Sequence, residues 1–403
     1  MEREHTRDCR SGAHDCTGWA PFRIALACLL LAAAPRPLAA QSTMEDALKQ
    51  RVEQLRDVGR IEVAGRTIRG SDALAALYET QGFSAIWSAG PARELKSSIR
   101  GLADDGLDPA DYHLAEIETL EATPPSAGTS ADLDMLRSDA LLRIVHDLRF
   151  GKVDPDRLTA DRDLDRSATE LNILLTAQGA IRSGRISATI ADLRPTHFVY
   201  TGLVAALTEL RRAASAGGWE VVPRGETLRL GDIDPRVPAV RRRFLASGDL
   251  LPPTPAIGSS VASTDSTFDS LMDAGLRSFQ HRHGLNEDGL LGPATLAELN
   301  VTVESRIEQL RLNLERARWF THDLPDDFVV VNVAGAKAYM VKGGDVVMET
   351  RAIVGQTQTR TPVFRSTMRY IDLNPTWTVP PGIVDEILAA VRRDPNYLAR
   401  MDM

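Results

Sequence analysis

The stretch that most constrains this chain runs from Phe268 to Asn300, FDSLMDAGLRSFQHRHGLNEDGLLGPATLAELN. Leu271, Met272, Leu276 and Phe279 recur at three- and four-residue steps, so they line one face of a helix. Gly284 is placed to end that helix in the left-handed conformation that glycine reaches cheaply. Asp288-Gly289 is a turn. Gly292-Pro293 opens a second helix, with proline at the first helical position, where its missing N–H costs nothing. Leu296 and Leu299 bury that helix. Read from these residues alone, the stretch is a compact helical packing unit.

The same residues carry a resemblance. Phe279-Gln280, His283-Gly284-Leu285, Asp288-Gly289, Leu291-Gly292 and Thr295-Leu296 fall in one register, and the set resembles the peptidoglycan-binding domain of bacterial wall enzymes. With an upstream half from Asp232 to Leu250, the unit spans residues 232–300 and is expected to hold three helices. The resemblance implies peptidoglycan as partner, and the exposed turn Asn286-Glu287-Asp288-Gly289 is the part expected to meet it.

Residues 1–40 read as a secretory signal peptide. Arg3, Arg7, Arg10 and Arg23 precede an apolar run from Ile24 to Ala34, and Leu38-Ala39-Ala40 before Gln41 offers a cleavage site. The apolar run is too short for an ordinary transmembrane helix. The expected location is therefore the periplasm, with no transmembrane helix in the mature chain. Cys9, Cys16 and Cys28 all lie in this segment, so residues 41–403 contain no cysteine. That excludes a disulfide, a thiolate metal site and a thiol nucleophile within them. The formal net charge of -8 argues against nucleic acid as the main partner.

From Met44 to about Leu120 the reading is helical, with Leu48, Val52 and Leu55 on one face, then Leu74, Leu77 and Tyr78, then Leu95, Ile99 and Leu102. Phe83 to Trp87 reads as a short buried extended segment, and Pro124 to Ser130 as a loop. A longer helix runs from Leu133 to Leu148 and stops at Gly151; His146 within it reads as a partly buried structural residue. Leu171–Ile181 and Leu203–Arg212 are further helices, and Ala213–Gly218 is a small-residue link. The acidic residues of this region read as scattered on solvated faces. GFSAIW, GLDPADYHL and HDLRFGKVDP, with the segment from Gly217 to Leu250, resemble the large periplasmic L,D-transpeptidases, in which a helical scaffold (here 44–218) precedes the binding unit.

Three further features need weighing. Arg241-Arg242-Arg243 could meet stem-peptide carboxylates, but a solvated helix face is the simpler expectation. His281 and His283 stand two apart on a helix and so point in different directions. With no third ligand at motif spacing, no metal is expected there. Pro252 to Thr267 reads as an exposed insertion.

Val303, Ile307, Leu310, Leu314 and Ala317 then form a narrow seam on a connector helix within residues 301–325. Composition switches to strand after it. Phe328–Val333 reads as a buried strand. Ala336–Val341 and Asp345–Thr350 flank the hairpin turn Lys342-Gly343-Gly344, and Arg351–Gly355 and Met368–Leu373 are expected to add to the sheet. Ile383, Ile387, Leu388 and Val391 mark a closing helix. DDFVVVNVAGAKAYMVKGGDVVMETRAIVGQTQTRTPVF and NPTWTVPPGIVDEILAAVRRDPNYL resemble the first part of an L,D-transpeptidase catalytic domain (residues 326–403). The expected fold class is therefore multidomain α+β: a helical scaffold, a three-helix peptidoglycan-binding domain and an incomplete β-rich L,D-transpeptidase catalytic domain.

The resemblance implies an acyl transfer without cofactor. A cysteine thiolate attacks the third residue of a tetrapeptide stem, D-alanine leaves, and an amine of a second stem takes the acyl group. The chemistry needs a thiol beside a histidine and backbone N–H donors for the oxyanion. The family supplies these from a Ser-His-Gly-Cys segment that this sequence does not contain before Met403. The last histidine is His322, and neither Thr361 nor Ser366 has a histidine near it in sequence to make it a nucleophile. No catalytic, cofactor or metal residue is therefore assigned. The expectation is an L,D-transpeptidase cut short of its nucleophile and inactive as written. The alternative is a secreted, non-catalytic peptidoglycan-binding protein. A zinc-dependent wall hydrolase fails for want of ligands.

Overall fold

The computed structural model describes residues 38–69, 72–157, 162–163, 170–250, 266–358, 360–373, 378–379 and 381–401. All but the last three residues of the expected signal segment, and most of the expected insertion after Pro252, lie outside these. No helix among the described residues is long and apolar enough to cross a membrane.

The first half is a helical body built around one long helix. Helix α1 (Leu38–Val58) buries Leu48, Val52 and Leu55, the expected face. A hairpin then interrupts the expected run of helix: β1 (Arg60–Val63) pairs antiparallel with β2 (Arg66–Arg69), Ile61 facing Ile68. Alternation of Ile61, Val63 and Ile68, all buried, with polar residues carries this strand signal. Ala64 and Gly65, both at positive φ, make the turn. Helices α2 (Asp72–Thr80), α3 (Ala89–Gly101) and α4 (Leu114–Ala122) follow.

Helix α5 (Ala127–Phe150) is the axis of this body, with Met135, Leu136, Ala140, Leu141, Ile144, Val145 and Leu148 all buried. It starts earlier than the expected loop allowed. Ser126 caps it reciprocally with Thr129, so Gly128 and Ser130 lie inside the helix. Helices α6 (Glu170–Ser183), α7 (Ile186–Asp192) and α8 (Phe198–Ser215) complete the body. α7 falls in a stretch read without structure, and α8 runs three residues into the expected small-residue link, Ala213 to Ser215.

The acidic residues of this half are not all on solvated faces. Asp134 accepts from the Tyr78 hydroxyl (2.7 Å) and from the backbone N–H groups of Ile86 and Trp87. Those two bonds explain how Phe83–Trp87, expected as a short buried extended segment, stays half-buried and outside any sheet: a side chain, not a neighbouring strand, satisfies the amides of Ile86 and Trp87. Asp139 binds His113 (2.6 Å) and Arg143 (2.5 Å), and Asp147 binds Tyr112 (2.8 Å) and His146 (2.9 Å). Asp105 accepts from Tyr200 (3.0 Å) and Arg194 (2.8 Å). All four carboxylates are buried. Burial pushes the Asp134 carboxyl up, against the pull of its donors, and raises Tyr78 well above the usual phenol range. Because α5 is surrounded by other elements, its aspartates are enclosed and must be bonded in place.

Helix α12 (Val303–Arg318) returns to this body and lies along α8. Of the expected seam, Val303, Leu314 and Ala317 are buried and Ile307 and Leu310 half-buried. At its end Arg318 is fully enclosed, donating to the Asp105 carbonyl (2.9 Å), the Tyr200 hydroxyl (3.2 Å) and Glu315 (2.9 Å). Two glycines admit the helix. Arg311 donates to the carbonyl of Gly106 (3.0 Å). Trp319 Nε1 comes within 2.5 Å of where a Cβ on Gly151 would stand.

Beyond Phe320 the packing changes. Strands β4 (Phe328–Asn332), β5 (Lys337–Lys342) and β6 (Asp345–Arg351) form an antiparallel sheet in that order, with Gly343 and Gly344 at positive φ in the turn. The two-residue strands β3 (Arg162–Asp163) and β7 (Val363–Phe364) pair in parallel. Helices α13 (Pro381–Arg393) and α14 (Tyr397–Arg400) bury no residue. Phe328–Val333 is not a buried strand: Val329, Val330 and Val331 are 41–48% exposed, because no second layer covers this sheet among the described residues. Residues 352–355 and 368–373 lie in no strand. Val341 is the one buried hydrophobic residue among those described after Phe320.

Apolar burial is what stabilises a segment, and this one has little of it. Limited proteolysis of the chain, followed by mass spectrometry, should remove the segment beyond Phe320 before fragments of the helical half. Equal survival of both would mean that the sheet is self-sufficient.

Candidate functional site

The chain leaves the helical body at α8 and re-enters it at α12. The described residues between them form one unit: α9 (Val237–Ser247), α10 (Ser270–Arg282) and α11 (Pro293–Leu299) around Phe244, Phe268, Met272, Leu276, Phe279 and Leu299. Isolated bridges Leu228–Leu291 and Ile233–Thr267 tie its loops together. Asp269 caps α10 by accepting from the Met272 amide (2.8 Å). Gly284 at φ 64° follows the helix end as expected. Leu271 does not join the apolar face: it is 65% exposed, one residue off the buried Met272–Leu276–Phe279 stripe.

The turn Asn286–Gly289, expected to be exposed, is so at Asn286, Glu287 and Asp288, while Gly289 is buried. Its backbone is tied down from the α10 side. Gln280, itself buried, donates to Asp288 Oδ1 (2.9 Å) and the Leu290 carbonyl (3.2 Å), and its Oε1 accepts from the Gly289 amide (3.0 Å). Arg277 donates to the carbonyls of Glu287 (2.6 Å) and Asp288 (3.1 Å). The Leu290 amide and Gln280 hold the Asp288 carboxyl below its usual range. The role of Gln280 was missed in the sequence, although Phe279-Gln280 stands among the residues of the resemblance. A glutamine's two-ended amide at the end of an apolar stripe is the signal for such a brace.

The arginine triplet is not a solvated face. Arg243 is buried, stacked 3.9 Å over the Trp219 ring, with Nε donating to the Leu299 carbonyl (3.0 Å). Burial pulls its pKa down to about 10. Arg241 pairs with Asp269 (2.8 Å), and only Arg242, paired with Glu220 (2.7 Å), is well exposed. The histidines hold structure as well. His281 meets Glu287 (2.7 Å), whereas His283 lies against the Phe279 ring (4.1 Å) and meets Glu298 (3.2 Å). Burial and the nearby Arg306 and Arg282 pull His283 down to about 4, so it is neutral at pH 7. Among the described residues no group of three His, Cys, Asp or Glu side chains could hold a metal ion.

Two clefts remain. One, about 620 Å³, opens at the start of α9 between Glu220–Glu226 and Asp234–Arg242. Its floor is Arg236, bound to Asp234 (2.9 Å) and to the Glu226 carbonyl (2.7 Å). Gly225 is required here, since a Cβ would stand 2.4 Å from the guanidinium carbon. The other, about 300 Å³, lies between α5, α6 and the end of α12, lined by Arg149, Thr176, Trp319 and His322 among others. His322 donates through Nε2 to the Leu148 carbonyl (2.8 Å), and burial lowers its pKa. It serves as a strut between α5 and the chain after α12. Thr361 accepts from the Gly355 amide (2.7 Å) and Ser366 is exposed, so neither stands in an acyl-transfer constellation.

Three family models match the chain in succession. Residues 72–207 match a scaffold domain, residues 237–299 one described as "Putative peptidoglycan binding domain", and residues 326–403 an L,D-transpeptidase catalytic domain. Among curated proteins, the chain is similar to a "Putative L,D-transpeptidase" of Haemophilus influenzae, 33% identical over 107 residues. The matched stretch is 26% of this chain and 20% of that protein, so the chain spans about a fifth of the length of that relative.

The brace around Gly289 makes a sharp prediction. Gly289 sits at φ 70°, and a Cβ there would stand 2.3 Å from Asp273 Oδ1 and 2.4 Å from Arg277 Nη2. Gly289→Val combines a left-handed backbone penalty with overpacking and should cost the unit about 3 kcal/mol. Thermal or urea denaturation followed by circular dichroism measures it. A loss below about 0.5 kcal/mol, the range of an ordinary surface substitution, would show that the turn is not held as described.

Proposed function

We propose, from the premise that the chain belongs to the peptidoglycan-remodelling L,D-transpeptidase family, that it is exported to the periplasm and holds peptidoglycan through the unit between α8 and α12. The observation that carries this reading is the construction of that unit. Gln280 and Arg277 lock the α10–α11 junction, and the neck joins the unit to the body through two clamps. At the neck, Trp219 Nε1 donates to the Val301 carbonyl (2.9 Å), and Asn300 bonds both the N–H and the C=O of Val222 (2.9 Å each). Entry and exit of the chain are thus stitched together, and the unit is presented on the α8–α12 pair as one rigid head.

The division we propose is a signal peptide at 1–40, a scaffold at 44–218, a peptidoglycan-binding domain at 232–300, a connector at 301–325 and a catalytic-domain segment from 326. In the family the reaction is acyl transfer between stem peptides through a cysteine thiolate. Residues 41–403 contain no cysteine, so the role proposed for these residues is binding and positioning. The scaffold's own charged groups support that division of labour. Asp105, Asp134, Asp139 and Asp147 each have protein donors, which leaves them engaged in packing.

One experiment tests both halves. Purified residues 41–403 incubated with sacculi carrying tetrapeptide stems should co-sediment with them and release no D-alanine by mass spectrometry. A folded protein that stays in the supernatant would refute the binding role, and released D-alanine would refute the absence of catalysis.

A further inference from the structure

The cleft at the start of α9 has a charge pattern that narrows its ligand. Three arginines and three carboxylates line it: Arg224, Arg236 and Arg242, with Glu220, Glu226 and Asp234. Two pairs are closed. Arg236 is held by Asp234 at the floor, and Arg242 by Glu220 at one wall. The third pair is not formed. Arg224 and Glu226 stand two residues apart on the rim, both exposed, and neither side chain has a hydrogen-bond or ion-pair partner among the described residues.

Between these charges the walls are Pro223, Pro235 and Pro238, which present rigid apolar faces and no N–H. The cleft also faces the first turn of α9, where the helix dipole favours negative charge. Arg236 adds to this: its Nη1 is buried with no partner among the described residues. A ligand suited to this cleft has a carboxylate, a nearby cationic group and a short aliphatic body. N-acetylglucosamine has neither charge. A stem peptide with a diamino acid and a free C-terminal carboxylate has both.

We infer that this cleft is the stem-peptide subsite of the head, with the peptide carboxylate on Arg224 and an amine on Glu226. The inference rests on the proposed wall-binding role and goes beyond it by choosing peptide over glycan, and by placing contact at residues 223–242 rather than at the 286–289 turn. Arg224 and Glu226 form no contact that the fold needs, so substitutions there leave the head intact.

The test uses the chain from residue 41 and two soluble probes, a disaccharide-tetrapeptide and peptide-free N-acetylglucosamine tetramer, by titration calorimetry. The tetrapeptide probe should bind and the sugar should not. Arg224→Glu should weaken the tetrapeptide about tenfold or more, the scale of losing one charge-assisted contact. Glu226→Lys should do the same, with unchanged circular dichroism and thermal midpoint. Arg229→Glu, exposed and outside the cleft, should bind as the parent does. Equal tetrapeptide affinity in the parent and in Arg224→Glu overturns the inference. So do binding of the sugar alone and absence of binding to the tetrapeptide. Sacculi separate the two levels: a parent that sediments with them while Arg224→Glu sediments equally well leaves wall binding standing and removes this subsite, whereas a parent that does not sediment removes both.

Discussion

The buried guanidinium of Arg318 is the interaction on which the arrangement of the helical parts depends. Burial opposes its charge and is the largest single influence on it, yet Tyr200 and Glu315 outweigh that and raise its pKa. Its donors reach three elements at once: the carbonyl of Asp105 after α3, Tyr200 on α8 and Glu315 on α12 itself. Asp105 in turn receives Tyr200 and Arg194, so the charge lies among mutually bonded partners, with Nε the one guanidinium nitrogen that has none among the described residues. Removing one partner of such a buried set typically costs about 3–5 kcal/mol, because the remaining polar groups stay enclosed. An apolar replacement could match the stability, but it would lose the directional bonds that fix where α12 ends.

That fixed end matters for function. α8 leads into the head formed by α9–α11 and α12 leads out of it, so whatever locks α12 on α8 also sets the orientation of the head. Gly151 and Gly106 let Trp319 and Arg311 come close to the body, and the neck bonds of Trp219 and Asn300 remove the remaining freedom at the head. Beyond α12 the chain continues directly into the segment that matches the catalytic domain. The head is therefore held at a set position relative to that segment's first strand, whose Phe328 touches His197 and Phe198 at the start of α8.

Much of this was legible in the sequence. Leu48–Val52–Leu55, the α5 stripe, the α12 seam, Gly284 and Gly292-Pro293 all behave as their spacing requires, because periodicity and glycine conformation are local properties. What failed was long-range. The four buried aspartates look like any exposed aspartate until helices close around them. Arg243 reads as one of three solvated arginines, and only Trp219, 24 positions earlier, makes it a buried, stacked residue. The Asn286–Gly289 turn reads as exposed, and Asn286–Asp288 are, but the hold of Gln280 and Arg277 on its backbone does not show in the sequence. Phe328–Val333 reads as buried because β-branched runs usually are, and burial depends on a covering layer that a single strand's sequence does not specify. The cleft at Arg224–Glu226 was invisible for the same reason: its two sides, 220–226 and 234–242, meet only in three dimensions.

The claim that α12 belongs to the scaffold body, with Arg318 as its anchor, is open to native-state hydrogen exchange read residue by residue. The account predicts that amides in the last two turns of α12 and the first turns of α8 open only with the global unfolding that also exposes the centre of α5. Exchange of α8 and α12 at a clearly lower free energy, together with α9–α11 and ahead of α5, would contradict it. The head would then hang on a loose stalk rather than a fixed one.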